Sequence, residues 1–428
     1  MKETVNPVTS LQGTIELPPD KSISHRAALF AAISDKKSVI ENYSRAADPQ
    51  STLACLKNLG VPIQKNGDKV TIKGVGREGF KAPETPLDCG NSGTTMRLLS
   101  GIVAGAGVRC TLIGDESLSS RTMKRIIEPL RKLGCSIEGR NGEYAPLEVS
   151  PHNGISGIRY PLPIASAQLK SSVLLAGLFG DKPTEVVETV MSRDHTERLL
   201  NLDHEPYGAG KIIRSSKKDI IPSQNYRVPG DFSAASFWLV GGSIVLSSMI
   251  NLPEVGMNPS RIAALQVLNE MGANIKQTDN RMEGKEPVSD LLVSAAELQP
   301  IDLDPALVPN CIDEIPILMV AMCFADGTSR ISGAEELRHK ETDRLAAMEE
   351  ILTLAGADIE SKNDGIIIRG RKDFVPESAD YNPYHDHRMA MAAAILSTMA
   401  PKKSHVKDAE CTAISYPDFW THLHAVSR

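Results

Sequence analysis

The sequence has few aromatics, no excess of positive charge and no paired cysteine motif. Aromatic residues make up 4% of 428 positions, and the formal net charge is −6. A nucleic-acid surface wants a basic face and stacking rings, so a nucleic-acid partner is excluded. The seven cysteines, Cys55, Cys89, Cys110, Cys135, Cys311, Cys323 and Cys411, are scattered and form no C-x-x-C pair. That spacing offers no disulfide framework and implies buried, reduced thiols. No G-x-G-x-x-G follows a strand-like run, so a dinucleotide site has no support. The longest apolar stretches, near residues 237–250 and 389–400, fall short of the roughly 20 residues that span a bilayer. The opening Met1-Lys2-Glu3-Thr4 has no apolar core of a signal peptide. A cytoplasmic protein with no membrane partner is expected.

What is present is a set of small polar clusters rich in cations and hydroxyls. They are Asp20-Lys21-Ser22-Ile23-Ser24-His25-Arg26, Ser119-Ser120-Arg121, Ser192-Arg193-Asp194-His195, Lys340-Glu341-Thr342-Asp343-Arg344 and His385-Asp386-His387-Arg388. Lysine and arginine beside hydroxyls suit phosphate and carboxylate. Solvated surface charge is the plain reading of any one cluster. Five clusters of similar chemistry point to one small, multiply charged ligand. Lys340 and Arg344, four apart, are predicted to share a helix face, where they repel unless an anion lies between them.

A weak repeat organises the chain. Residues 56–63, 130–137, 268–275 and 352–359 each read as a helix end, a glycine in the left-handed region, then a strand. The glycines are Gly60, Gly134, Gly272 and Gly356. A degenerate copy, with His204 in the glycine position, fits residues 200–207. A sixth copy would be starting its turn near Leu423, where the chain ends. Each copy is preceded by a helix that opens from a polar turn, as over 22–32, 166–178, 233–240, 312–324 and 386–396. A repeat of roughly 70 residues marks a supersecondary unit. Three units per globule predict two similar domains, with 41% hydrophobic residues to fill their cores. Pro beside Asp places the crossings near residues 17–20 and 228–231.

Taken together the motifs are recognisable. Asp20–Arg26, Gly90-Asn91-Ser92-Gly93-Thr94-Thr95-Met96-Arg97, Ser166-Ala167-Gln168-Leu169-Lys170-Ser171 and Pro229-Gly230-Asp231 occur in order. Ile312-Asp313-Glu314, Leu337–Leu345, Asp386–Met391 and Tyr416-Pro417-Asp418-Phe419 follow them. The series closely resembles the 5-enolpyruvylshikimate-3-phosphate (EPSP) synthase family over nearly the whole length. Arg193–Glu197 and Met257-Asn258-Pro259-Ser260-Arg261 resemble its class II branch. The resemblance implies an α/β fold of two inside-out domains, each of three βαβαββ repeats, joined by a two-strand hinge. The domains would be 1–19 plus 229–428, and 20–228, with the active site in the cleft between them. The implied reaction moves the enolpyruvyl group of phosphoenolpyruvate to the 5-hydroxyl of shikimate 3-phosphate and releases phosphate. It is a shikimate-pathway step toward chorismate and the aromatic amino acids. The implied partners are those two small molecules; no cofactor or metal is implied, and a monomer is expected.

The resemblance also assigns residues. Shikimate 3-phosphate would be held by Lys21, Ser22, Arg26, Ser166, Ala167, Gln168, Arg193, Asp313 and Lys340. Phosphoenolpyruvate would be held by Lys21, Asn91, Gly93, Thr94, Arg121, Gln168, Arg344, His387 and Arg388. Asp313 would accept the proton of the 5-hydroxyl, Glu341 would serve the methylene carbon and Lys21 would steady the leaving phosphate. Asp194, His195 and Glu197 would orient Arg193, and His385 would be structural. Glyphosate, a phosphonate, would compete at the phosphoenolpyruvate position. Ile414 stands where the class I branch carries a lysine, and Thr122 stands where proline is usual after Arg121. Two alternatives weaken. The transferase acting on UDP-N-acetylglucosamine would carry Asn after the first lysine and a cysteine within 114–121; here Ser22 follows Lys21, and that loop has none. A non-catalytic anion binder should lack a proton-handling group, yet Lys21, Asp313 and Glu341 are all present.

Overall fold

The computed structural model describes residues 1–428. The chain separates into two compact units. One comprises Met1–Pro18, Pro229–Met282 and Pro287–Arg428; the other comprises Pro19–Val228 and Glu283–Glu286. Each has its own hydrophobic core.

Six helices form the middles of these cores. Three lie in the Pro19–Val228 unit: α1 (Lys21–Ile33), α2 (Gly93–Ala106) and α3 (Ala167–Gly177). Three lie in the other: α4 (Phe232–Ile244), α5 (Ile315–Cys323) and α6 (His387–Ser397). Every residue of α4, α5 and α6 is buried. Helices apolar all round have no face to show to water and so become the inside of the layer structure. Their packing needs small residues at the crossings. A Cβ on Gly101 of α2 would stand 2.3 Å from the carbonyl oxygen of Ser172 on α3, so only glycine fits.

The sheets lie around these helices and repeat one pattern. Leu87–Asp88 runs parallel to Cys110–Ile113, which pairs antiparallel with Tyr144–Ser150, which pairs antiparallel with Ser136–Arg140. The same order recurs in the sheet led by Arg159–Pro161 and in that led by Asn225–Arg227. In the other unit it recurs in the sheet that starts from Gln12–Thr14. A bridge from Asp302 to Arg330 supplies the parallel edge of a fifth sheet. The sixth is closed by the start of the chain, with Glu3–Val5 pairing antiparallel with Ser404–Val406. A sixth repeat is therefore completed by residues from the other end of the sequence. Six α/β units result, the sixth with a three-stranded sheet; the count is that read from the repeat, and the architecture is that implied by the resemblance.

The repeat marks correspond to real turns. Gly60, Gly134, Gly272 and Gly356 all have positive φ, between 78° and 98°. The degenerate copy needs correction. Its left-handed residue is Asn201, with φ 54°, closing the helix His195–Leu200; His204 begins the strand His204–Tyr207. Asparagine is among the few side chains that tolerate this conformation. The Lys340–Arg344 reading also fails. Lys340 closes a 3₁₀ turn over Glu335–His339, and Arg344 opens a new helix, Arg344–Leu354, capped by Asp343. The two cations do not share a helix face, and Lys340 pairs with Glu336 at 3.4 Å.

Candidate active site

The predicted residues gather at helix starts. Asp20, Ser92 and Ser166 are the N-caps of α1, α2 and α3, each accepting a backbone N–H of the first turn. Asp231, Asp343 and Asp386 do the same for α4, Arg344–Leu354 and α6. Several acids and hydroxyls of the polar clusters are therefore caps, worth about 1 kcal/mol each. The helix starts also carry partial positive charge and spare N–H groups that favour anions.

In the Pro19–Val228 unit, hydrogen bonds tie the starts of α1, α2 and α3 together. Lys21 pairs with Asp48 at 3.0 Å. His25 bonds Thr52 at 2.7 Å, and Thr52 bonds Thr95 of α2 at 2.8 Å. Burial, then the nearby Lys21 and Arg26 charges, hold the His25 imidazole well below its usual pKa, so it is neutral. Gln168 Nε2 donates to Thr94 Oγ1 at 2.9 Å, and its Oε1 accepts from Arg97 Nη1 at 2.6 Å. Arg121 Nη2 donates to Asn91 Oδ1 at 3.0 Å, and Asn91 Nδ2 donates to Asp115 at 2.7 Å. Ser22, Ala167 and Gln168 lie in the first turns of their helices. Gly93 opens α2 beneath two guanidiniums: a Cβ there would stand 3.0 Å from Arg97 Nη1 and 3.7 Å from Arg121 Nη1.

Arg26 is less available than predicted. It is buried, and donates to Thr196 at 2.8 Å, Ser171 at 3.0 Å and the Ser22 carbonyl at 3.1 Å. Burial lowers its pKa to about 10, which leaves it charged at neutral pH. It ties α1 to α3 and to the segment that carries Arg193. A second buried group fixes that segment. Lys170, fully buried, meets both oxygens of Glu188 at 3.1 Å, Glu197 at 2.8 Å and the carbonyl of Ser192 at 3.3 Å. Asp194 pairs with Arg198 at 2.8 Å, and His195 with Glu286 at 2.8 Å. Each residue of this turn thus has a bonding duty of its own beyond the orientation of Arg193.

The other unit builds a different cluster. Arg344, 1% exposed, reaches three carboxylates: Asp386 at 2.8 Å, Glu341 at 2.6 Å and Asp313 at 3.3 Å. Burial works against its charge, but Asp386, Glu341 and Asp313 together raise its pKa above the ordinary arginine value. Asp313 lies in the turn before α5 rather than inside the helix predicted over 312–324. Its carbonyl accepts from Arg388 Nη1 at 2.9 Å. His387 is buried in the first turn of α6. His385 is 84% exposed near Asp408, so the structural role expected of it has no buried setting. Ile414 packs on the core.

Arg261, Arg344 and Arg388 of the same unit pair with five carboxylates, Asp231, Asp313, Glu314, Glu341 and Asp386. Sequence reading missed Arg97, Lys170, Arg261 and Glu314 as site residues. Arg97 alone had a local signal, since it follows Gly93 by one helical turn.

The family model for EPSP synthase (3-phosphoshikimate 1-carboxyvinyltransferase) matches residues 5–423. The 3-phosphoshikimate 1-carboxyvinyltransferase of Salinibacter ruber is 46% identical over 430 residues, covering 100% of both chains. That of Syntrophomonas wolfei is 43% identical, again covering 100% of both. The solved EPSP synthase of Acinetobacter baumannii superposes with a TM-score of 0.88 at 35% identity, covering 100% of this chain and 98% of its own. The enolpyruvyl transferase NikO of Streptomyces tendae shares the fold, with a TM-score of 0.74 at 13% identity, covering 99% of this chain and 96% of its own.

Proposed function

The chain belongs to the EPSP synthase family, and from that premise we propose how its residues carry out the 3-phosphoshikimate 1-carboxyvinyltransferase reaction. The 5-hydroxyl oxygen of shikimate 3-phosphate bonds to the central carbon of phosphoenolpyruvate, and the methylene carbon gains a proton. The tetrahedral adduct then loses phosphate and a methyl proton, and the double bond re-forms. Two carboxylates placed within reach can move these protons. Asp313 accepts from the 5-hydroxyl, and Glu341 serves the methylene carbon. The observation that carries the reading is that both converge on the one buried guanidinium of Arg344. A substrate anion that recruits Arg344 withdraws its donors from the two carboxylates and frees them to take up protons. Substrate binding and proton transfer are thereby coupled through one side chain.

The remaining roles follow charge. Lys21, Ser22, Arg26, Ser166, Ala167, Gln168, Arg193, Asp313 and Lys340 hold shikimate 3-phosphate. Lys21, Asn91, Gly93, Thr94, Arg121, Gln168, Arg344, His387 and Arg388 hold phosphoenolpyruvate. Arg193 and Arg261 support membership of the class II branch. The reaction draws on residues of both 1–19 plus 229–428 and 20–228. We place the protein in the cytoplasm as a monomer; no helix is long and apolar enough to cross a membrane.

A phosphate-release assay tests the reading. Phosphate should appear only when shikimate 3-phosphate and phosphoenolpyruvate are both present. No release, or release with UDP-N-acetylglucosamine as acceptor, would reject it.

Gly93 gives a narrower prediction. Alanine there needs no unusual backbone angle, and its methyl would meet the movable ends of Arg97 and Arg121. The fold should survive while both guanidiniums shift. Glyphosate is the longer ligand and should tolerate that shift less well than phosphoenolpyruvate. Gly93→Ala should therefore raise the glyphosate inhibition constant about 10- to 200-fold more than the phosphoenolpyruvate KM. Equal weakening of both ligands would show that the methyl does not discriminate by length.

A further inference from the structure

Two features remain without a role: the Asn258-Pro259-Ser260-Arg261 motif, and Glu314, the glutamate that follows Asp313. The structure brings them together against Arg388. Asn258 Oδ1 accepts from Ser260 N at 2.9 Å and from Ser260 Oγ at 2.7 Å, while Arg261 N donates to Asn258 O at 2.8 Å. This side-chain turn turns Arg261 inward. Arg261 Nη1 donates to Glu314 Oε1 at 3.0 Å, and Nη2 donates to Asp231 at 3.3 Å and to Ser233 Oγ. The Ser233 hydroxyl donates in turn to Glu314 Oε1 and accepts from Arg388 Nη2 at 3.4 Å. Arg388 Nη1 donates to the carbonyl of Asp313 at 2.9 Å, and its guanidinium lies 3.9 Å from Glu314. One hydroxyl thus joins the Arg261–Glu314 pair to Arg388, and Arg388 holds the Asp313 peptide.

Burial decides how to read this. The Glu314 side chain is 0% exposed and that of Arg261 4%, and both are engaged by partners inside the protein. A buried ion pair is also a poor explanation by stability alone, because apolar residues of similar volume often serve as well. What apolar residues cannot supply is direction. A guanidinium fork bonded at two corners loses its freedom to turn.

We infer that Arg261, Glu314 and Ser233 are positioning residues that fix the Arg388 guanidinium and the Asp313 peptide for phosphoenolpyruvate. The inference rests on the enolpyruvyl-transfer reading above. Its test separates direction from stability. Ser233→Ala removes the joining hydroxyl. The double variant Arg261→Met with Glu314→Met removes both charges of the pair together, and Asp231, which also loses Arg261, keeps its bond to the Ser233 N–H. Both should melt within a few degrees of the native protein. Both should raise the phosphoenolpyruvate KM about 10- to 100-fold, the effect of losing a bond to a charged group, and the shikimate 3-phosphate KM far less. Equal rises in the two KM values, or a native phosphoenolpyruvate KM in either folded variant, would overturn the inference. Should the double variant fail to fold, Ser233→Ala decides alone. A native protein that releases no phosphate removes the underlying reading; a native protein that turns over beside unmoved variants removes only this inference.

Discussion

Asp313→Asn protein should bind shikimate 3-phosphate and phosphoenolpyruvate nearly as the native protein does and lose about 10²- to 10⁴-fold in turnover. The substitution keeps the shape of the side chain, and the amide oxygen can still accept from Arg344 Nη1, now at 3.3 Å from Asp313 Oδ1. It cannot accept the proton of the 5-hydroxyl. The buried guanidinium is not orphaned, because Asp386 and Glu341 remain at 2.8 and 2.6 Å. The peptide also stays in place, since Arg388 donates to the backbone carbonyl at 2.9 Å and stands farther, at 3.9 Å, from the side-chain carboxylate. The fall should therefore appear in kcat, with little change in Tm. Steady-state phosphate release together with calorimetric binding of shikimate 3-phosphate separates the effects. Near-native turnover would remove Asp313 from the proton-handling pair, and Glu341→Gln would then carry the whole test of it.

Legibility in the sequence followed the range of the interactions. Five of the six inner helices were named from the sequence because apolar runs follow polar turns; α2, Gly93–Ala106, was read only as a glycine turn. The glycine turns could be read because a left-handed residue after a helix is a local requirement. Strands of two or three residues such as Leu87–Asp88 and Asp380–Tyr381 carry no period, so their pairing was invisible. The closing strand Glu3–Val5 was invisible because its partner Ser404–Val406 lies at the far end of the chain. Lys340 and Arg344 were misread for a local reason: Asp343 begins a new helix, and spacing within one imagined helix hid that cap.

The site divided in the same way. Cations beside hydroxyls announced an anion ligand, and the collinear motifs named the residues that touch it. Read alone, each acid looks like a cap or a surface partner, and only the resemblance singled out Asp313 and Glu341. Their convergence on Arg344 depends on Asp313, Glu341 and Asp386 meeting from three separate segments. Arg261 and Glu314 stand 53 residues apart, and only the fold reveals their pairing.

Lys170→Met should destabilise the protein by about 3–5 kcal/mol, the usual consequence of breaking a buried ion pair from one side. Lys170 is fully buried on α3, and its ammonium faces Glu188 and Glu197, which are themselves buried. Methionine fits the volume but leaves Glu188 with only the N–H and hydroxyl of Ser192, and Glu197 with only Lys211 at 3.1 Å as an ion partner. Tm of the Pro19–Val228 unit should fall by roughly 6–20 °C, taking about 2–4 °C per kcal/mol for a unit of that size. The pH dependence gives the mechanism. Burial opposes the charge on Glu197, yet Lys170 and Lys211 hold its pKa below the ordinary 4.5. A depressed carboxylate contributes stability above its unfolded pKa and loses that contribution as pH falls through the folded value. The native protein should thus lose this contribution only below about pH 4.5. In the variant, protonation relieves the unpaired carboxylates, so its deficit should be largest near pH 7 and shrink toward pH 4. A deficit that stays constant across that range would mean methionine merely packs badly. A charge-removing second change, Glu188→Gln, should recover part of the loss at pH 7, and failure to do so would leave the electrostatic account without support.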